Sequence, residues 1–310
     1  MGAVSTGPVQ TWEILRHGLS AQPTSPEVAV LHYRVPRTIV IALVGLALGL
    51  AGALIQGHTR NPLADPGLLG ISAGAATAVV SGLYFLNVTS TLGMLFLAFG
   101  GSAIAAVGVF LLGGVGRRAA DPIALVVAGA AVSALLTAMT TTIVLRSAST
   151  AVIDKYRFWT AGAVSVTESS AYVPAVPFLA VGALLALASA SGLNLLAMGD
   201  RSAQSLGLNV ARTRLVGMVA VTLLAGAATA IAGPIAFLGL IAPHLARALV
   251  GTDYRWVLPT AALAGVAILY LADALGRVVA TREVPAGVML VLVGVPFFLF
   301  VVCRSRFVTL

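Results

Sequence analysis

The sequence predicts an all-α polytopic membrane protein, one that crosses a membrane many times. Of its 310 residues, 59% are hydrophobic and only 9% are charged, whereas a soluble domain carries about 25% charged residues. Its apolar stretches are continuous, and several approach the ~20 residues that a spanning helix needs. Strands of a membrane barrel would instead alternate apolar and polar residues over about 10 positions. A third observation, an internal repeat, predicts that the spans form two related halves.

The basic residues and the rare reactive groups exclude several classes of function. All of the 18 basic residues except Lys155 are arginines, and they are spread through the connections. That distribution is typical of topology-setting loops and not of a nucleic-acid interface. The 4 histidines are scattered and Cys303 is single, so no metal site or internal disulfide is expected. Because no G-x-x-x-x-G-K-[ST] motif is present, we expect no P-loop ATP binding, and the sequence also has no H-E-x-x-H motif and no serine elbow.

Residues 1–37 are polar, lack the apolar core of a signal peptide, and end in the cluster Arg34-Val35-Pro36-Arg37. We predict that they form an extracytoplasmic segment. Residues 38–310 are predicted to form one transmembrane domain with about nine spanning helices. The predicted spans are residues 38–57, 67–86, 91–112, 122–145, 171–198, 215–233, 236–250, 257–276 and 286–303.

A degenerate repeat begins near residues 38 and 215. Shifted by 181 residues without a gap, four glycine or proline positions of the first copy match the second: Gly45 with Gly226, Gly52 with Gly233, Pro62 with Pro243, and Gly70 with Gly251. Five crossings separate the copies, so the second enters the membrane from the opposite side. This predicts an inverted-topology repeat, an architecture of transporters. The alternative is chance similarity between helices rich in glycine and alanine.

The arginines also predict the orientation. The connections at 58–66, 113–121, 199–214 and 251–256, with Arg247 and the C-terminal tail, hold ten basic residues against eight on the other face. Without residues 1–37 the comparison is ten against five. Cytoplasmic loops carry the excess of basic residues, so the first set is predicted to be cytoplasmic.

Few charges are predicted inside the spans. Asp273 and Arg277 lie near a span end, and no charge lies at a clear span centre. An ion-coupled transporter is expected to carry one there. The pathway is therefore predicted to be neutral and its energy to come from another subunit. Within the first span, Gly45 and Gly49 are spaced to let two helix backbones approach.

Several motifs resemble one family. The stretch RVPRTIVIALVGLALGLAGALIQGHTRNPLADPGLLGISAGAA resembles the signature of FecCD-type permeases of ATP-binding-cassette (ABC) importers, which carry iron–siderophores, haem or vitamin B12. GPIAFLGLIAPHLAR, ADALGR and EVPAGVMLVLVGVPFF resemble its C-terminal signatures, and the likeness runs from about Arg34 to the end. The family has ten spans, and residues 2–19 resemble the external segment after its first helix. That helix is therefore expected to be missing here, through a late start or a real loss.

The resemblance implies a non-catalytic subunit that moves an iron–siderophore-type chelate inward across the bacterial cytoplasmic membrane. Its implied partners are ABC ATPase subunits, which hold the ATP and Mg²⁺, an extracytoplasmic substrate-binding protein, membrane lipid, and a second copy or a paralogous permease. No cofactor is expected in this chain. Nothing in the sequence separates a siderophore from haem or cobalamin. The alternative function is an ion-coupled secondary transporter with inverted repeats, and a structural membrane subunit ranks third.

Three groups of site residues follow from the resemblance. Arg34 and Arg277 match the family's arginines that dock the binding protein; the alternative role is an anchor at the membrane interface. The segment GDRSAQSLGLNVARTR resembles the family's ATPase-coupling segment, with Asp200, Ala203, Leu206 and Gly207 as its predicted contact and turn residues. Its helix, stopped by Gly207, could seat in a groove of a soluble partner, or it could be an ordinary connector.

The span 122–145 resembles the family's pore-lining helix, which makes Ser133 and Thr137 candidate pathway residues. Such hydroxyls can equally bond to their own helix. The 146–170 connection, with Tyr156, Phe158 and Trp159, resembles an outer gate. In the polar loop after the first span, Asn61 and Asp65 are predicted to cap the helix that enters the membrane and not to hold substrate.

Overall fold

A computed structural model describes residues 7–18, 24–113, 122–147, 150–162, 172–279 and 283–303, and all regular structure within these ranges is helical. The all-α fold predicted from the composition is therefore confirmed. The α-helices are α1 Pro8–His17, α2 Ser25–Val28, α3 Val35–Thr59, α4 Ile71–Phe85, α5 Thr91–Leu112, α6 Pro122–Arg146, α7 Thr150–Thr160, α8 Val176–Ala188, α9 Ala190–Ala197, α10 Asp200–Ser205, α11 Val210–Ala232, α12 Leu238–Val250, α13 Tyr254–Val278 and α14 Ala286–Cys303.

Among the described residues, five helices are long and apolar enough to cross a membrane: Ser25–Thr59, Thr91–Leu112, Ala124–Arg146, Val210–Ala232 and Tyr254–Val278. A sixth span results if α8 and α9, which meet at an angle of 47°, are taken together. Three shorter apolar helices occupy Ile71–Phe85, Leu238–Val250 and Ala286–Phe297. Each of the nine predicted segments thus contains one of these elements, and the number of complete crossings stays a prediction.

The first span begins earlier than predicted. Residues Ser25–Thr59 form one continuous helix, in which Ala29–Arg34 is a π-helical turn. Pro36 has no amide hydrogen to donate to the preceding turn, and the Val35 amide bonds to the Val30 carbonyl five residues back. The π-turn therefore accommodates the proline, and the helix continues through it.

Helix α3 lies at the centre of the bundle. It packs against α8, α9, α11, α12 and α13, and 72% of its most apolar window is buried, compared with 17% for α6. A helix that is apolar on all sides belongs in a protein core or in lipid. In α3 most of those sides are covered by other helices of the same chain.

Glycines make this close packing possible. An added Cβ at Gly49 would lie 2.2 Å from the Ala261 carbonyl oxygen of α13, and one at Gly52 would lie 2.0 Å from the Gly239 oxygen of α12. One at Gly45 would lie 2.7 Å from the Cα atom of Val266. The predicted role of Gly45 and Gly49 in backbone approach is confirmed. Without a hydrophobic drive between helices in lipid, such contacts hold the bundle together by van der Waals packing.

The helix packing repeats within the chain. Exchanging α3 with α11, α4 with α12, α5 with α13 and α6 with α14 converts each contact among these eight helices into another of their contacts, apart from α3–α11, which is unchanged. Thus α3–α13 corresponds to α11–α5, α4–α5 to α12–α13, α4–α6 to α12–α14, and α3–α12 to α11–α4. This arrangement supports two related halves.

The single offset of 181 residues is wrong, however. The starts of corresponding helices differ by 175 (210 − 35), 167 (238 − 71) and 163 (254 − 91) residues. Gly52 lies inside α3 while Gly233 ends α11, and Pro62 lies in a loop while Pro243 lies inside α12. The offset is already 175 and not 181 at the first helix pair, and the connection that follows, which spans residues 60–70 in one copy and only 233–237 in the other, reduces it further.

Candidate functional site

Two charged clusters lie at opposite ends of α3. One surrounds Asp273 near Arg37, at the start of α3; the other surrounds Asp200 near Arg60, just after its end. A 25-residue helix is ~37 Å long, so the clusters are a full span apart. We call these ends of the molecule the Asp273 end and the Asp200 end.

At the Asp273 end, a buried carboxylate joins two arginines. The Asp273 side chain is 4% exposed, with Oδ1 2.6 Å from Arg37 Nη2 and Oδ2 2.5 Å from Arg277 Nη2. Arg37 Nη1 also lies 2.8 Å from Glu283 Oε2. The hydrogen bond from Arg37 lowers the pKa of Glu283. Because a buried carboxylate needs counter-charge and hydrogen bonds, this network fixes α3, α13 and the segment before α14 to one another.

The predicted docking arginines have different surroundings. Arg277 lies in the last turn of α13 with 38% of its side chain exposed, and Arg34 is half-buried in the π-turn before α3. The structure brings Arg277 together with Arg37 through Asp273. Sequence reasoning missed Asp273 and Glu283 as members of this cluster. The available signals were the i,i+4 spacing of Asp273 and Arg277 and the second arginine of the R-x-P-R motif.

At the Asp200 end, one carboxylate again joins two arginines. Both Asp200 oxygens lie 3.0 Å from Arg214 Nη2, and Oδ1 lies 3.2 Å from Arg60 Nη2. These bonds tie the start of α10 to the end of α3 and to α11. Beside them, His58 is buried against α11, where a Cβ on Gly217 would lie 1.6 Å from His58 Nε2. The predicted coupling segment is therefore anchored directly to the central helix.

The short helix expected in this segment is present. Helix α10 spans Asp200–Ser205, and Gly207 turns the chain with φ +85°, a conformation that glycine adopts at little cost. Leu206 is 59% exposed, whereas Ala203 is fully buried within the chain. Leu206 is thus the member of this pair that a partner can reach, and Ala203 packs internally.

The candidate pathway helix α6 is the least buried of the long spans. Thr137 is exposed on it, and Ser133 is half-buried with its Oγ near Gly70 of α4. The Thr140 hydroxyl has a structural role, because its Oγ1 bonds to Thr77 Oγ1 at 2.9 Å and to the Leu136 carbonyl. Ser133 and Thr137 remain predictions.

The segment predicted to be a gate includes helix α7, whose end has defined contacts, although the Phe158 side chain falls outside the described residues. Helix α7 ends at Thr160, and Gly162 accepts a hydrogen bond from the Gly287 amide of α14 at 3.2 Å. A Cβ on Gly233 would lie 2.1 Å from the Trp159 carbonyl oxygen. The end of α7 is therefore held between the α11–α12 connection and α14.

A cavity of about 380 Å³ separates this segment from the loop after α3. Its walls include Asp65, Ser72, Thr160, Ile235 and Val291. Such a cavity could hold part of a ligand or several waters. Sequence reasoning placed Asp65 in a capping role only and did not predict the cavity, because its walls come from four distant parts of the chain.

Asp65 does act as a cap, but not of α4. Its Oδ1 accepts the Gly67 amide at 2.8 Å and begins the 3₁₀ turn Pro66–Leu69, after which Gly70, with φ +72°, starts α4. Asn61 Oδ1 similarly accepts the Leu63 amide at 2.9 Å. Burial raises the pKa of Asp65 to about 6. The side chain thus combines a structural bond with an ionisable group in the cavity wall.

The part of the chain that the structure describes contains no cluster of three or more His, Cys, Asp or Glu side chains suited to a metal ion.

Comparison with known proteins identifies relatives over nearly the whole chain. Residues 1–304 match the FecCD transport family. The chain is 45% identical to the ferric enterobactin transport system permease protein FepD of Escherichia coli (strain K12), over 89% of this chain and 82% of that protein. It is 39% identical to the iron(3+)-hydroxamate import system permease protein FhuB of Bacillus subtilis (strain 168), over 99% and 79% of the two chains.

Solved structures agree with these relatives. A metal-chelate type ABC transporter in an inward-facing conformation superimposes with a TM-score of 0.82 at 26% identity, covering 96% of this chain and 95% of that one. The fold and the sequence therefore lead to the same group of proteins.

Proposed function

Because the chain belongs to the FecCD transport family, we propose that it is the transmembrane permease subunit of an ABC importer that carries an iron–siderophore-type chelate inward. It is a multi-pass protein of the bacterial cytoplasmic membrane. The observation that carries the proposal is the match along residues 1–304, together with relatives whose names specify permeases for ferric enterobactin and iron(3+)-hydroxamate.

A permease of this kind works with separate proteins for energy and for substrate capture. In our proposal, ABC ATPase subunits bind the ATP and Mg²⁺ and dock at the Asp200 end, where Leu206 is exposed beside the turn at Gly207. The substrate-binding protein docks at the Asp273 end, through Arg277 and Arg34. This chain supplies no catalytic residue.

The two ends are mechanically linked. Arg37 lies in the first turn of α3 and pairs with Asp273. Arg60 directly follows the last residue of α3 and pairs with Asp200. A displacement of α10 by the ATPase would therefore act on α3 through Asp200 and reach α13 through the close glycine contacts. Rigid-body movement of packed helices is a known way to switch access.

A second permease subunit, identical or paralogous, is part of the proposal. The exposed surface of α6, which carries Thr137 on one side and Leu135 and Met139 on the other, would then line the pathway and meet the second subunit. Iron–siderophore is proposed as substrate because relatives at 45% and 39% identity are named for ferric enterobactin and iron(3+)-hydroxamate. Relatives for hemin and cobalamin also occur, at 38% and 37% identity.

The test is reconstitution. The permease, its ATPase and its binding protein in proteoliposomes should take up a ferric siderophore such as ferric enterobactin only with ATP and the binding protein present. The matched control uses an ATPase whose P-loop lysine is replaced, which should abolish uptake without changing assembly. Uptake driven by an ion gradient in the absence of ATP would reject the proposal in favour of a secondary transporter.

A further inference from the structure

We propose that a cavity at the Asp200 end binds a phosphate-class anion, either the headgroup of an anionic lipid or free phosphate, with Arg247 and Arg60 as its cationic ligands. The cavity has a volume of about 400 Å³ and lies between the ends of α3 and α9 and the α12–α13 connection, which contributes Thr252 and Asp253. We call it the Arg247 cavity. The proposal goes beyond transport and does not depend on the transported substrate.

The central observation is a half-buried arginine, Arg247, that has no counter-ion among the described residues. Arg247 Nη2 donates to Gln56 Oε1, and the Tyr254 hydroxyl lies beside the guanidinium. Both of these groups are neutral. Arg247 Nη1 is buried and has no hydrogen-bond partner among the described residues, which also provide no ion pair for this arginine. Buried charges in proteins are normally paired, so an anion from outside the chain would complete the site.

The other charges around the cavity leave it positive. Arg60 pairs with Asp200, but Asp200 is shared with Arg214. Asp253 also lines the cavity. Among the residues that line the cavity, Arg60 and Arg247 face the single carboxylate of Asp253, and the excess of one positive charge favours an anionic ligand. A guanidinium presents parallel N–H donors that match two phosphate oxygens.

The surroundings have the character of a membrane interface. Trp256, which follows the cavity wall by two residues, is 64% exposed, and Leu249 and Val250 are exposed at the end of α12. Tryptophan is enriched where spans leave the hydrocarbon. A lipid could therefore place its phosphate at Arg247 and its acyl chains along this apolar surface, with the Thr252 hydroxyl as a further donor.

The experiment measures lipid retention and thermal unfolding of the purified permease in detergent. Phosphatidylglycerol should be retained in native mass spectra and should raise Tm, whereas phosphatidylcholine should do neither. Arg247→Gln should weaken phosphatidylglycerol binding by at least about tenfold, the effect of losing a charge-assisted hydrogen bond. Inorganic phosphate is the third probe: equal protection by it identifies free phosphate as the source, and protection by phosphatidylglycerol alone identifies a lipid.

Three further variants keep the test decisive if Arg247→Gln folds poorly. Thr252 is exposed, so Thr252→Asp should fold normally and repel the anion, while Thr252→Asn is its uncharged control. Arg255→Gln removes an exposed arginine at the same end but outside the cavity, and should bind phosphatidylglycerol like the wild type. The proposal is overturned if Thr252→Asp leaves retention unchanged or if phosphatidylcholine is retained equally. The proposal is also overturned if Arg247→Gln no longer co-purifies with the ATPase but retains the lipid. That result would assign Arg247 and Arg60 to a carboxylate of the partner.

Discussion

The two arginines that bond to Asp273 differ in how many of their hydrogen-bond donors are used within the chain. Arg37 bonds to Asp273 through Nε and Nη2 and to Glu283 through Nη1, so its guanidinium is occupied within the chain. Arg277 bonds to Asp273 through Nη2 and is more exposed. The remaining donors of Arg277 are therefore the better placed to meet the carboxylates of a binding protein.

Replacing Asp273 by asparagine should destabilise the permease strongly. The change leaves Arg37 partly buried without its main counter-charge, and breaking a buried ion pair in this way costs about 3 kcal/mol or more. Glu283→Gln is the control, because it removes a carboxylate whose side chain is 64% exposed and should cost under about 1 kcal/mol. Unfolding of both variants in detergent measures the difference. Equal stabilities would show that Asp273 is not the centre of this cluster.

Asp65 should make stability depend on pH. Its folded pKa of about 6 lies above the usual 3.8, so folding favours the protonated carboxyl. Its contribution to stability is then full below about pH 4, falls as the pH rises to about 6, and stays low above that. The loss is up to about 3 kcal/mol. Asp65→Asn keeps an oxygen for the Gly67 amide and should remove this part of the pH profile.

The measurement is the difference in Tm between wild type and Asp65→Asn from pH 4 to pH 7. Asp154→Asn, which changes an exposed carboxylate, should follow the wild type throughout. A profile for Asp65→Asn that parallels the wild type would mean that Asp65 is solvated in the folded protein.

At the scale of the helices, glycine spacing predicted which backbones approach but not how the repeat is aligned. Gly45 and Gly49 could be assigned from their spacing alone, since small residues four apart lie on one face of a helix. The alignment failed at Gly52 because the starts of α3 and α11 differ by 175 residues and not 181, and it failed further at Pro62 because the connection after these helices differs in length. A short sequence match reports residue types, whereas the correspondence of helices depends on where each begins and ends.

Gly49→Ala should destabilise the contact between α3 and α13. The new methyl group would lie 2.2 Å from the Ala261 oxygen, and overpacking of this kind typically costs about 1–3 kcal/mol. Gly108→Ala in α5 is the matched control, because a Cβ there meets nothing within 4 Å and alanine favours a helix by roughly 0.5–1 kcal/mol. Denaturation of the two variants in the same detergent should show opposite signs. A Gly49→Ala protein as stable as the control would contradict the close packing.

For the whole molecule, the sequence predicted the fold better than the sites. Hydropathy is a property of local segments, so the spans could be placed from composition and length. The clusters join residues far apart, such as Arg37 with Asp273 and Arg60 with Asp200, and no local pattern specifies those pairs. The cavity walls around Asp65 and around Arg247 were unpredictable for the same reason.

Docking of the binding protein should be sensitive to Arg277. Arg277→Gln is expected to lower the association rate several-fold at low salt, because exposed charges mainly steer an encounter, and to have a smaller effect at high salt. Arg146→Gln, which removes an exposed arginine at the end of α6, controls for net charge. Surface-immobilised permease in nanodiscs would provide the rates. An unchanged association rate for Arg277→Gln would reject the docking role and leave this arginine as a structural partner of Asp273.

The burial of α3 has a consequence for how the protein is made. Residues 35–59 leave the ribosome before residues 210–278, which form the α11, α12 and α13 walls around them. At ~5–20 residues per second, this helix must wait roughly 10–40 s before those neighbours exist. Because its surface is apolar on all sides, it can remain in lipid as a single helix. The grooves at its glycines stay without their helix partners until α12 and α13 are inserted. The most enclosed part of the finished protein is therefore among the longest exposed to the bilayer during its synthesis.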